Sequence, residues 1–193
     1  MSAAMPLSLS TFERVGLGVV LATLPLIAVE HKAFTSVRFA YRLRLPRSWN
    51  VSVAGSGVPV FFNYTTAAVL PQGLIPDNGA DIYLIPFAAL RGITGATDTE
   101  EWIRLNRTRD HSNVTIRRLP SPGGTERVPR NVFEVKSDFE RDPQDGKLQR
   151  EVNYYFELHG DSFRLRLLYW KGDPRSSYFE SVLDSIFRSI RGL

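Results

Sequence analysis

The sequence predicts an α+β fold, an antiparallel β-sheet of about seven strands packed with helices. Three observations point there. Leu148 to Gly160 (LQREVNYYFELHG) and Asp161 to Trp170 (DSFRLRLLYW) alternate apolar and polar residues like two adjacent strands. After Lys171-Gly172-Asp173-Pro174 the stretch SSYFESVLDSIFRSIR changes to a three- and four-residue apolar spacing. The links between the apolar runs are short, which favours antiparallel pairing with helices laid on the sheet over long parallel crossovers.

Taken in order, Ala33 to Ser36 reads as a short linker. Val37 to Leu45 (VRFAYRLRL) reads as a strand, with Phe39, Tyr41, Leu43 and Leu45 on one face and Arg38, Arg42 and Arg44 on the other. Pro46-Arg47-Ser48-Trp49 closes it, because proline cannot donate to a ladder. Val58 to Tyr64 and Ala80 to Pro86 are two further strands, and the continuous apolar run from Ile82 suits a strand covered on both faces. Between them, Thr65 to Gly79 carries Pro71, Gly73, Pro76 and Gly79 and reads as a loop.

Thr97 to Arg109 reads as a helix. Thr97 or Asp98 is placed to cap it, with Glu100 and Glu101 at the positive end of its dipole and Arg104, Arg107 and Arg109 toward the other. Trp102, Ile103 and Leu105 form its expected buried stripe. Val114 to Leu119 is a short strand, and a loop from Pro120 to Arg130 follows. Asn131 to Phe139 puts Phe133, Val135 and Phe139 on one side and Glu134, Lys136 and Asp138 on the other. Asp142 to Gly146 is a turn. The closing hairpin sets Val152, Tyr154, Phe156 and Leu158 beside Phe163, Leu165, Leu167 and Tyr169, while Glu151, Glu157, Arg164 and Arg166 share the opposite face, where cross-strand pairing is expected. In the last helix Phe179, Val182, Leu183, Ile186, Phe187 and Ile190 make the buried stripe, Glu180, Asp184 and Arg188 the outer one, and Pro174 suits the first turn.

With 193 residues, 43% of them hydrophobic and 23% charged, the chain suits one folded domain, placed at residues 37–193. Residues 1–36 are expected to be a signal peptide or membrane anchor plus linker. Val15 to Val29 is an uncharged run of fifteen residues spanning roughly 22 Å as a helix, short of the ~30 Å hydrocarbon core. A signal h-region, a short anchor and a buried helix remain alternatives, although Pro25 and two glycines oppose the last. No clean cleavage site follows, since Ala28 has Leu26 two residues before it and Ala33 has His31. The expectation is an extracytoplasmic (periplasmic or secreted) or membrane-anchored protein rather than a cytoplasmic one.

The net charge is +4, with twenty arginines against four lysines. These cations are dispersed among acids, which argues against a nucleic-acid partner. Absence of cysteine excludes disulfides, thiolate metal sites and a cysteine nucleophile. His31, His111 and His159 lack metal-ligand spacing, so no metal and no cofactor is expected.

No catalytic residue is assigned. Gly55-Ser56-Gly57 lacks the spacers of a nucleophile elbow. Neither a Walker loop nor a dinucleotide fingerprint occurs. The carboxylates Asp138, Glu140 and Asp142, and Asp98, Glu100 and Glu101, have ordinary surface or capping roles. Asp142 with Asp145 is too sparse for a calcium loop. The sequons at Asn50, Asn63, Asn106 and Asn113 read as chance occurrences. Phe61, Phe62, Tyr64, Tyr83 and Phe87 gather near one end, which leaves a carrier of an apolar small molecule as one alternative.

Several stretches together resemble the PsbP-like family, which includes the photosystem II extrinsic protein P and many bacterial relatives, and whose fold recurs in a small nuclear protein that binds the GTPase Ran. They are Leu45-Pro46 with Trp49 close behind, the strand Val58 to Asn63, the DTEEW helix, and the Tyr169-Trp170 strand followed by a helix ending Ser189-Ile190-Arg191. The resemblance spans about residues 36–192. It implies a sheet of about seven antiparallel strands between helices and a non-enzymatic binding or assembly role, often outside the cytoplasm, and it brings no catalytic residues. Ser48 replaces the family's usual glycine before the tryptophan. The plant proteins' transit peptide is missing, so a photosynthetic role is not supported.

The expected function is therefore a non-enzymatic binding, scaffold or assembly protein that holds a protein partner through a sheet face or the loops 65–79 and 120–130. A small hydrolase or the apolar carrier is the alternative. Val15 to Val29 is the expected point of membrane association, and the oligomeric state is left open.

Overall fold

The computed structural model describes residues 30–53, 55–65, 75–86, 99–107, 111–120, 125–142 and 146–193. The apolar run Val15 to Val29 and the expected caps Thr97 and Asp98 lie outside them. So do most of the loop 65–79 and part of the loop 120–130.

Among the described residues the strands are β1 (His31–Ser36), β2 (Tyr41–Pro46), β3 (Asn50–Val53), β4 (Pro59–Phe62), β5 (Ala80–Pro86), β6 (Ser112–Arg118), β7 (Arg130–Asp142), β8 (Lys147–Leu158), β9 (Asp161–Trp170) and β10 (Arg191–Gly192). The helices are α1 (Thr99–Arg107) and α2 (Ser176–Ser189). A seven-stranded sheet runs β3-β4-β5-β9-β8-β7-β6, and a small three-stranded sheet runs β1-β2-β10. Every pairing is antiparallel, as short connections require.

The β8–β9 hairpin carries the register that its alternation predicts, with Val152 opposite Leu167, Tyr154 opposite Leu165 and Phe156 opposite Phe163. His159 and Gly160 make its two-residue connection, both with positive φ (52° and 82°), which twists the turn in the sense the strands need. These side chains and those of Ile82, Leu84 and Phe61 form one face of the large sheet. The predicted stripe of α2 lies on that face: Phe179, Val182, Leu183, Ile186 and Phe187 are buried, with Ile190 just beyond. Tyr41, Leu43 and Leu45 of β2 join the same core. Trp49 is fully buried and donates its indole N–H to the Tyr178 hydroxyl (3.3 Å), tying the chain after β2 to α2. On the opposite face α1 seats Trp102 and Ile103 against Phe133, Val135 and Tyr155 in a second core.

Several expectations need correction. The domain begins before residue 37, because 31–36 is not a linker: Lys32 to Ser36 pair residue by residue with Leu45 to Tyr41. Val37 to Ala40 is a turn rather than strand, and Ala40 takes φ 51°. A continuous alternation hid that turn, because Phe39 keeps the apolar phase. The strand β3 went unread, since only Val51 in it is half-buried. Leu105 is 54% exposed rather than part of the buried stripe. Pro174 precedes the N-cap residue Arg175 and so lies outside the first turn of α2.

Candidate functional site

Several carboxylates on the large sheet are engaged in ion pairs. Asp138 of β7 is 1% exposed and accepts from Lys171 Nζ (2.7 Å), Arg150 Nη1 (2.8 Å) and Asn113 Nδ2 (2.8 Å). Burial alone would raise its pKa. The three donors outweigh burial and bring it down to about 2. Asn113 reaches it from an irregularity in the β6–β7 ladder, at a backbone φ of 51°. Beside it, Glu180 of α2 accepts from Lys136 Nζ (2.6 Å) and the Tyr169 hydroxyl (2.7 Å). Burial opposes ionisation of Glu180, yet these donors leave its pKa lowered. Glu180 therefore bridges helix to sheet instead of lying on the outer stripe of α2.

On the α1 face Glu151 is 0% exposed. It is held by Arg164, by Arg166 Nε (2.7 Å) and by His111 Nε2 (2.9 Å). Arg164 also donates to Asn153 Oδ1 (2.7 Å) and lies over the Tyr155 ring. The cross-strand pairing expected on this face is present for Glu151 with Arg164 and Arg166, whereas Glu157 accepts from Asn131 Nδ2 (2.8 Å). Ser137, Gln149 and Asn153 are fully buried on the same face, so this polar row is interior.

The remaining sequence candidates are dispersed. Glu140 is exposed, Glu100 pairs with Arg104 one helical turn away (2.7 Å), and the Asp142 and Asp145 side chains fall outside the described residues. His31 is on the outer face of β1, His159 is in the β8–β9 turn, and a Cβ on Gly192 would collide with the His159 ring. Asn50, Asn63, Asn106 and Asn113 all use their side-chain amides in hydrogen bonds: to Tyr64 O, from Ala80 N, to Trp102 O and to Asp138 respectively. Phe61 and Phe62 are consecutive strand residues and point to opposite faces, so they do not line one cavity. Among the described residues no group of three or more His, Asp or Glu side chains is placed to hold a metal ion. None of the described helices is long and apolar enough to cross a membrane.

An open cavity of about 870 Å³ forms a groove between the outer face of the small sheet and the outer side of α2. The alternation of β2 builds it: Tyr41, Leu43 and Leu45 go into the core, which leaves Arg42 and Arg44 outside. Thr35 and Arg191 flank Arg42 on the neighbouring strands, and Ala33 sits opposite Arg44. From the helix, Ser181, Ser185 and Ser189 line the groove at four-residue intervals. Ser189 Oγ accepts from Arg44 N (2.8 Å) and so fixes the helix wall to the sheet wall. Arg188 is paired with Asp184 (2.8 Å), and Arg191 Nη1 donates to the carbonyls of Arg188 and Ile190 at the helix end. Arg42 and Arg44, by contrast, have no ion-pair partner among the described residues. Sequence reading placed these arginines on the outer face and missed the groove, because its second wall comes from about 140 residues further along the chain.

No protein-family model and no curated protein matches this chain. Two solved structures are similar in outline. One is a crystal structure of a protein from Bacteroides thetaiotaomicron VPI-5482 (TM-score 0.47, 11% identity), covering 84% of this chain and 48% of that one, so this chain spans about half its length. The other is the solution structure of cyanobacterial PsbP from Synechocystis sp. PCC 6803 (TM-score 0.45, 12% identity), covering 91% of this chain and 100% of that one. At these scores the likeness carries no argument, and the α+β fold rests on the strand order and register above.

Proposed function

We propose that the protein is a non-enzymatic binding or assembly protein that holds a protein partner in the groove between the small sheet and α2. We further propose that it works outside the cytoplasm or at a membrane, held there or delivered by the Val15 to Val29 segment. The observation that supports the binding role is the contrast between its charges. Asp138, Glu151 and Glu180 are each engaged by two or more donors inside the fold. Arg42 and Arg44 stand in an open groove with their donors unspent. Ion pairs that are closed and buried serve architecture, while exposed, unpaired guanidinium groups offer bidentate recognition.

Ser185→Trp tests the groove. Ser185 is an exposed groove residue of α2, so a bulky side chain there fills the cavity without entering the core. In extracts of the native cells the wild-type chain is expected to sediment above its own 21.8 kDa, and the variant to return to it. A wild-type chain that sediments alone at low and moderate salt overturns the binding role. Cell fractionation with sequencing of the mature N-terminus decides the localisation.

A further inference from the structure

We infer that the groove takes an extended, acidic segment of its partner, gripped by Arg42 and Arg44 on one wall and accommodated by small hydroxyl side chains on the other. This inference rests on the binding role proposed above and adds the chemistry of the occupant.

Charge selects the sign. Arg42, Arg44, Arg188 and Arg191 line the cavity against Asp184 as its one carboxylate, so the arginine and carboxylate count is four positive to one negative. The Arg188–Asp184 pair cancels internally and leaves the sheet side positive. Arg42 and Arg44 alternate with Tyr41, Leu43 and Leu45, so they emerge on one face two residues apart, roughly 7 Å along the strand. Acidic side chains two residues apart on an extended segment have the same spacing. Each guanidinium can then take one carboxylate through two parallel N–H donors.

Shape selects an extended chain. Ala33 and Thr35 from the sheet and Ser181 and Ser185 from the helix contribute small side chains to the lining beside the longer His31 and arginines, which leaves room for a backbone between them. The Ser185 hydroxyl can donate to or accept from a peptide group, while Ser181, whose proton goes to Tyr178 O (2.7 Å), can accept. A nucleic-acid strand fits less well. Among the groove's lining residues His31 has the one ring on which a base could stack, too few to carry successive bases of a strand.

The test uses the purified full chain and two fluorescein-labelled probes of equal charge, an alternating Glu-Ser peptide of about ten residues and a single-stranded oligothymidylate. Fluorescence anisotropy at low salt is expected to show saturable peptide binding. Arg42→Glu with Arg44→Glu should weaken it about tenfold or more. Arg130→Glu, an exposed arginine outside the groove, should leave it within about twofold. Salt near 1 M, where the Debye length is about 3 Å, should abolish it. Circular dichroism confirms that each variant is folded. Absent peptide binding, equal loss with Arg130→Glu, or tighter binding of the oligonucleotide each overturns the acidic-segment assignment. If Ser185→Trp still dissolves the native complex in those cases, the groove retains its binding role and only the occupant's chemistry is wrong.

Discussion

Asp138→Asn removes one negative charge from a position where Lys171, Arg150 and Asn113 converge on a single buried carboxylate. The magnitude follows from ionisation. A carboxyl whose pKa falls from 3.8 to about 2 on folding prefers the charged form in the folded protein by roughly 2 kcal/mol, at about 1.4 kcal/mol per pH unit. Because the folded value is the lower one, this stabilisation is complete well above pH 3.8 and is lost as pH falls toward 2. At pH 7 the variant should therefore be about 2 kcal/mol less stable, which for a domain of this size lowers Tm by about 4–8 °C. Near pH 3 the carboxylate is partly protonated in the unfolded chain, and the gap should shrink to roughly half. Thermal and urea unfolding followed by circular dichroism at both pH values measures this. A gap under about 0.5 kcal/mol at pH 7, or one that does not narrow on acidification, refutes the reasoning.

Glu151→Gln is expected to cost more, about 3–5 kcal/mol in urea unfolding, because it leaves Arg164, with 12% of its side chain exposed, without its buried counter-charge. A loss under about 1 kcal/mol would mean that solvent already screens that cluster. Ala40→Gly should stabilise the protein by about 0.5 kcal/mol, since relief of the left-handed φ of 51° exceeds the added entropy of glycine in the unfolded chain. A lower urea midpoint for that variant contradicts the turn geometry.

The closing hairpin and helix were legible because their signals are local and redundant. Val152 to Leu158 and Phe163 to Tyr169 keep phase over whole strands, and a slip of one residue would turn both stripes outward. The buried stripe of α2 follows from spacing alone. Misreadings cluster where local pattern is ambiguous. Val37 to Ala40 continues the alternation of the strand after it and yet turns, because Ala33 to Ser36 supplies the pairing partner that Tyr41 to Arg44 need. Leu105 has the spacing of a buried residue, but α1 meets the sheet through Trp102 and Ile103.

By itself the sequence determined which apolar residues face inward along β2, β8, β9 and α2, the antiparallel class of the sheet, and the sign of the surface around Arg42 and Arg44. Tertiary structure alone decided which polar faces meet solvent. Glu151 and Arg42 both occupy the polar phase of an alternating strand, yet Glu151 is wholly buried in an ion-pair network and Arg42 lines an open groove. Alternation records only that two faces of a strand differ. Whether the polar face is covered depends on segments distant in the chain, such as α1 over β7 and β8 or α2 beside β2, and no local pattern encodes that distance.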